Sequence, residues 1–294
     1  MSGQPTVGQL WRGWRDVLDR LGFASAALDA KLLTGYALGL SALELATGEN
    51  NSVDPAAAEQ VAALLQRRMT GESVARIIGE REFYGLPFAL NEATLEPRPE
   101  TELLVDLALA HLPPGGQLLD LGTGTGCIPI AILANRPDAR AIATDLSARA
   151  LEAAAENAER NGVADRIRFL QGSWFEPLSP FDRLRMRSDA PFRFHLITSN
   201  PPYITSAVVD TLEREVKDFD PRLALDGGAD GLAPYRVIAA QAADWLDPDG
   251  AVLLEIGYDQ GAAVSALFLE AGFENVAVHR DLNGHDRVVA ARLR

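Results

Sequence analysis

Residues 196–203 read Leu-Ile-Thr-Ser-Asn-Pro-Pro-Tyr, an apolar run that ends in a polar residue, two prolines and an aromatic ring. That order of residue types suits chemistry on a planar NH2 group. An amide or aromatic amine nitrogen has a delocalised lone pair and is a poor nucleophile, so an enzyme must orient it toward its electrophile. The Asn200 side-chain carbonyl and the Pro201 backbone carbonyl could each accept one N–H of such a group and so turn its lone pair toward an electrophilic carbon. Pro201 and Pro202 carry no N–H, so this strand end cannot pair onward and its carbonyls stay available. Tyr203 could stack on the flat target group. The plain alternative is an ordinary strand exit, since Asn-Pro often starts a turn. The site reading is preferred because the strand is expected beside a glycine loop.

That loop is Gly122-Thr123-Gly124-Thr125-Gly126, between an apolar strand at 118–121 and an apolar helical stretch at 127–134. Glycines there let the backbone turn sharply and approach a ligand, while the helix that follows presents free N–H groups. A dinucleotide loop reads G-x-G-x-x-G, whereas here the third glycine falls one position early. Asp145 ends the next strand, at 141–145, where a carboxylate can accept hydrogen bonds from ribose hydroxyls. Loop and acid together indicate a nucleoside ligand without saying which. The alternative for Asp145 is a helix N-cap.

The elements that must position these groups follow from period and punctuation. Strand, glycine loop, helix and strand make a βαβ unit, and further strands are expected at 167–171, 195–199, 251–256, 275–279 and 287–293, with helices such as 148–161 and 235–245 between them. Asn283-Gly284 makes the last two strands an antiparallel hairpin, so the expected sheet has seven mostly parallel strands with the last reversed. Upstream, Val7, Leu10, Trp11, Trp14, Val17, Leu18 and Leu21 recur at helical spacing on one face. Ser41 with Glu44 forms a capping box, and Asp54-Pro55 opens another helix. We therefore expect a helical domain over 1–78, a hairpin linker over 79–98 around Tyr84-Gly85, and an α/β domain over 99–294. Pro97-Arg98-Pro99-Glu100-Thr101-Glu102 reads as a helix start, with Arg98 and Glu102 assigned to that role rather than to the pocket rim, and Glu255-Ile256-Gly257 as structural.

Composition narrows the setting. A chain of 294 residues, 47% hydrophobic, can bury two cores of unequal size. Twenty-seven basic against 41 acidic residues give a net charge of −14, which disfavours direct contact with nucleic acid. The lone Cys127 cannot form an internal disulfide, the N-terminal stretch has no secretory pattern, and no apolar run approaches the ~20 residues of a membrane span. A cytoplasmic monomer with no membrane contact is the expectation. The histidines at 111, 195, 279 and 285 show no ligand spacing, so no metal is expected.

Five stretches taken in order carry a family resemblance: REFYGLPFALNEATLEPRPETELLVD, LLDLGTGTGCIPIAI, FLQGSWFEPL, LITSNPPYI and FDPRLALDGGADGLAPYRVI. Together they resemble the HemK/PrmC family, whose members use S-adenosylmethionine to methylate the glutamine side-chain amide of the Gly-Gly-Gln motif in peptide chain release factors. The resemblance spans essentially the whole chain. It implies a seven-stranded, Rossmann-like class I methyltransferase domain and an N-terminal helical bundle that helps recognise the release factor. It also implies a cofactor site at Gly122, Thr123, Gly124, Thr125, Gly126, Asp145, Trp174 and Asn200, with Trp174 flanking the adenine and Asn200 to Tyr203 holding the glutamine. The Asn-Pro-Pro-Tyr motif alone is shared with adenine methyltransferases, and a relative acting on a ribosomal protein glutamine is the nearer alternative.

The chain departs from that family in the segment SPFDRLRMRSDAPFRF after Leu178, which is long and basic through Arg183, Arg185, Arg187 and Arg193. It feeds the beginning of a parallel strand, the edge opposite the ligand edge. Deleting residues 184–190 should therefore leave the methyl-transfer turnover number nearly unchanged; a large loss would reject that placement.

Overall fold

A computed structural model describes residues 4–178 and 193–293. The chain forms two compact units, Met1–Gly79 and Glu80–Arg294. The first is helical: α1 (Val7–Arg20), α2 (Ala26–Leu38), α3 (Ala42–Thr47), α4 (Pro55–Met69) and α5 (Val74–Ile78). The Ser41–Glu44 capping box starts α3, and the Asp54 carboxylate accepts from the Ala56 and Ala57 N–H groups to start α4. Leu18, Ala30, Leu33, Val61 and Leu65 make its core. Inside it, Arg68 Nε donates to Asp29 Oδ2 at 2.7 Å, with both side chains nearly buried. The α1 stripe is narrower than its spacing indicates. Leu21 lies past the last helical residue and is 54% exposed. Helix α5 was not anticipated, because five residues are too few to show a period.

The second unit opens with a hairpin, β1 (Glu80–Phe83) and β2 (Leu86–Ala89), turned by Tyr84 and Gly85 at φ of 54° and 71°. The hairpin expected as a linker groups with this larger unit. One buried amide ties it there: Asn157 Oδ1 accepts from Ala89 N at 2.7 Å, while its Nδ2 donates to the Ala89 and Thr125 carbonyls at 3.1 and 3.0 Å.

Seven strands form the sheet: β3 (Gln117–Leu121), β4 (Arg140–Asp145), β5 (Ile167–Gln171), β6 (Phe194–Ser199), β7 (Leu246–Glu255), β8 (Glu274–Arg280) and β9 (Asp286–Arg292). Their order is β5-β4-β3-β6-β7-β9-β8, with β9 antiparallel to both neighbours and the others parallel. The helices are α6 (Glu102–His111), α7 (Cys127–Asn135), α8 (Ala148–Arg160), α9 (Ser206–Val209), α10 (Arg214–Lys217), α11 (Ala233–Ala242) and α12 (Gly261–Glu270). Strand alternation splits the apolar residues between two cores. Leu118, Leu196 and Leu253 pack with Val105, Ile130 and Ile132 on one face. Leu119, Ile197 and Leu254 pack with Tyr235, Ile238 and Phe268 on the other.

Strand β7 begins five residues before its expected start at 251, because its pairing with β6 slips between Phe194 and Leu196 and takes in turn-type residues around Asp249. Arg193 enters β6 with Nη1 donating to the Ala243 and Leu246 carbonyls at 3.2 and 2.5 Å. Arg183, Arg185 and Arg187 of the basic segment lie outside the described residues. Among the described residues, no helix is long and apolar enough to cross a membrane.

Gly126 caps α7 at φ +78°, and a Cβ there would stand 2.8 Å from Ile130 Cδ1 and 3.2 Å from Ala154 Cβ. Gly126→Ala should cost about 1–2 kcal/mol through the left-handed backbone and the crowded α7–α8 contact, read as a lowered urea midpoint.

Candidate active site

The site begins with strand register. β3 and β6 are parallel neighbours in which Leu121 pairs with Ser199, so the glycine loop and Asn200 leave the sheet side by side. This is the switch point, since the chain runs outward from β3 to β4 and β5 on one side and to β6 and β7 on the other. Ser199 secures the junction by donating from Oγ to the Leu121 carbonyl at 2.6 Å.

The glycine loop is held by β4. Gly122 N and Thr123 N both donate to the Thr144 carbonyl, at 2.9 and 3.0 Å, and Gly124 N donates to Asp145 Oδ2 at 2.8 Å. Gly124 takes φ +54°, and a Cβ there would meet open space. Asp145 Oδ1 accepts from Ser147 N at 2.8 Å. The helix cap itself is Ser147, whose Oγ accepts from Ala150 N at 3.2 Å. Asp145 thus shapes the loop without capping α8, and each of its oxygens can accept a further bond. Burial raises its pKa, against the backbone N–H groups that lower it.

Trp174 follows β5 at φ +49°, a conformation rare for an aromatic residue. Its carbonyl accepts from Thr144 Oγ1 at 3.0 Å, and its ring reaches the loop: a Cβ on Gly122 would lie 3.7 Å from Trp174 Cζ3. Asn200 Nδ2 donates to Thr101 Oγ1 at 3.4 Å, which leaves Oδ1 as the free end of the amide. Among the described residues no donor reaches Asn200 Oδ1 or the Pro201 carbonyl.

These groups surround one cavity of about 450 Å³, within the size range of small-molecule sites. Gly122, Thr123, Gly124, Thr125, Asp145, Trp174, Asn200 and Pro202 line it, while Gly126, Pro201 and Tyr203 do not. Gly126 is spent on helix packing. The Tyr203 side chain packs against the second core, burial pushes its pKa up to about 12, and its carbonyl accepts from Gln260 Nε2 at 3.0 Å.

Several lining residues were assigned otherwise from sequence or passed over. Arg98 is on the wall, where its Nη2 donates to the buried Asp220 Oδ2 at 3.0 Å and joins the Pro-Arg-Pro-Glu stretch to Asp220-Pro221-Arg222. Thr101, Glu96 and Asp226 also line it. Glu102 does not; its Oε1 accepts from Tyr84 N at 2.9 Å. The only signal for the second group is the proline and glycine content of 97–99 and 226–231, which marks loops but not which cavity they enclose. The wall presents the carboxylates Glu96, Asp145 and Asp226 against the single guanidinium of Arg98, with Arg81 and Arg222 pairing two of the acids from outside. Such a wall suits a ligand bearing positive charge and hydroxyl or amine donors better than a phosphate.

The family model of the PrmC N-terminal domain matches residues 9–79, and that of the methyltransferase small domain matches residues 99–229. A release factor glutamine methyltransferase of Agrobacterium fabrum is 43% identical over 297 residues, covering 99% of this chain and 99% of that protein. Another, from Cereibacter sphaeroides, is 44% identical and covers 92% and 93%. Among solved structures, a methyltransferase from Pyrococcus furiosus aligns with a TM-score of 0.50 at 16% identity over 79% of this chain and 98% of its own, a likeness of fold alone. Two full-length relatives above 40% identity, set beside the loop and strand end described here, settle the matter of kinship: the chain belongs to the release factor glutamine methyltransferase family.

Proposed function

We propose that this protein transfers a methyl group from S-adenosylmethionine to the side-chain amide nitrogen of the glutamine in the Gly-Gly-Gln motif of peptide chain release factors. The observation that carries the reading is the pair of unspent acceptors, Asn200 Oδ1 and the Pro201 carbonyl, at a strand end beside the glycine loop. The cavity volume, the acceptor-rich wall and the open space over Gly124 fit the methyl donor, which supplies an electrophilic methyl on a sulfonium centre. In this reading the Gly122–Thr125 backbone and the Thr123 and Thr125 side chains face the donor, Asp145 accepts from its ribose hydroxyls, Trp174 flanks its adenine and Asn200 closes the wall nearest the methyl.

Asn200 and Pro201 then do the orienting. Each carbonyl takes one N–H of the glutamine amide, which points the nitrogen lone pair at the methyl and favours a pyramidal nitrogen. As the nitrogen gains positive charge, the two carbonyl dipoles stabilise it. Its proton is then acidic enough to leave to water, so no dedicated base is required. Pro202 and Tyr203 fix the backbone that carries the second carbonyl, with Gln260 clamping the Tyr203 carbonyl.

The helical unit supplies recognition in this proposal. Leu28, Leu32 and Tyr36 recur every four residues along α2 and are 60%, 46% and 53% exposed, an apolar stripe on one helix face. A buried lone cysteine suits the reducing cytoplasm where release factors act. We take the chain to work as a monomer that makes no direct contact with nucleic acid.

Labelled S-adenosylmethionine incubated with the full chain and a release factor, a ribosomal protein or an adenine oligonucleotide should label only the first, on glutamine; label in either other substrate instead would overturn the assignment. Asn200→Ala should lower kcat by about two to three powers of ten while largely sparing donor affinity, whereas Asp145→Ala should chiefly weaken donor binding in calorimetry. The double substitution Leu28→Asp with Leu32→Asp should raise KM for the release factor by about tenfold with kcat held.

A further inference from the structure

Behind Asn200 the fold buries a carboxylate where an apolar residue would pack at lower cost. Ser199 pairs with Leu254, so Glu255 stands level with Asn200 on the neighbouring parallel strand. It is 2% exposed and outside the cavity wall, and its Oε2 has no hydrogen-bond partner among the described residues. Burial lifts its pKa to about 7; the Thr101 hydroxyl, the Arg287 charge and the Asn200 amide oppose that rise. Thr101 is itself 2% exposed at the start of α6 and receives the Asn200 Nδ2 hydrogen bond.

A primary amide in a site has a two-fold ambiguity, because oxygen and NH2 have nearly the same shape. Only one flip serves the reaction. We propose that Glu255 is a positioning residue which, acting through the Thr101 hydroxyl, holds the Asn200 amide with Nδ2 inward and Oδ1 facing the substrate amide. An ionised carboxylate accepts and never donates, so a Thr101 O–H turned toward it leaves a Thr101 lone pair for Asn200 Nδ2, the contact seen at 3.4 Å. The reverse flip would set Oδ1 against that lone pair or draw the Thr101 proton away from Glu255, and leave the buried carboxylate with less support. The inference rests on the reading of Asn200 as an acceptor for the glutamine amide.

The test uses the full chain with a release factor as substrate and measures kcat, KM, donor affinity by calorimetry and Tm for Glu255→Leu, Glu255→Gln, Thr101→Val and the Glu255→Leu/Thr101→Val pair. Glu255→Leu should melt at or above the wild-type temperature and bind the donor within about twofold, with kcat down about tenfold to a hundredfold and KM little changed. Glu255→Gln should keep more activity, since a glutamine side-chain oxygen can accept from the Thr101 hydroxyl as a carboxylate can. The double variant should be no slower than the slower single one. Unchanged kcat in Glu255→Leu, a parallel loss of donor affinity, or multiplicative losses in the pair would each overturn the positioning role. Should Glu255→Leu fail to fold, Glu255→Gln and Thr101→Val decide: a kcat loss at constant donor affinity supports the role, and unchanged kcat removes it. A wild type that methylates no release factor overturns the functional reading and this one together, whereas an active wild type with unaffected variants overturns this one alone.

Discussion

Everything in the catalytic unit depends on the pairing of β3 with β6. A one-residue slip of β6 in that register would turn Ile197 away from the core it shares with Leu119 and move Asn200 away from the glycine loop at the same time. Burial of both sheet faces makes such a slip costly, so packing energy, not loop chemistry, sets the distance between donor and acceptor groups. Ser199 Oγ bound to the Leu121 carbonyl adds a local lock at the point where the two chains part. The loops then need only supply chemistry at a place already chosen.

The strand ends beneath those loops are acidic and partly dehydrated. Asp120, in β3 just before the loop, is buried and has its pKa raised to about 7, chiefly by desolvation, although its Oδ1 accepts from Thr198 Oγ1 at 2.7 Å. Glu255 reaches about 7 for the same first reason. A carboxyl group whose pKa is higher in the folded than in the unfolded chain binds more protons when folded. Its contribution therefore erodes as pH rises from the ordinary carboxylate range toward 7. At neutral pH the fold carries these acids at some cost, and a cationic ligand nearby favours their charged forms. Together with Glu96, Asp145 and Asp226 on the wall, they make the site a poor host for phosphate, which fits a donor whose reactive centre is a sulfonium.

Much of this was legible in the sequence, for identifiable reasons. Gly122, Gly124 and Asp145 lie close together along one βαβ unit, and the strand that ends in Asn200-Pro201-Pro202-Tyr203 is apolar enough to be placed in the sheet interior. The Ser41–Glu44 box and the Asp54-Pro55 start are local and were read directly. What escaped was tertiary. Thr101 reads as part of a helix start and Glu255 as the end of a strand, and nothing in either neighbourhood shows that both lie behind Asn200. Arg98 and Asp220 are 122 residues apart in the chain. Tyr203 has the composition of a stacking residue, yet its side chain is packed into the second core, because the strand exit directs Asn200 and Pro202 to the cavity and sends the tyrosine the other way. Trp174 shows the reverse case: a left-handed φ that no residue type signals brings its ring against the loop.

In the proposed reading, the choice of asparagine at 200 follows from these surroundings. An aspartate would offer two acceptors and need no orientation, but it would sit level with Glu255 on the next strand, and two carboxylates in one desolvated space share a proton. An amide avoids that conflict. It is neutral, so Glu255 can stay ionised, and its carbonyl dipole gains most when positive charge develops on the attacking nitrogen. Neutrality brings the flip ambiguity with it, and in the proposed reading the Thr101 hydroxyl that receives Asn200 Nδ2, backed by the buried Glu255, is the device that removes it.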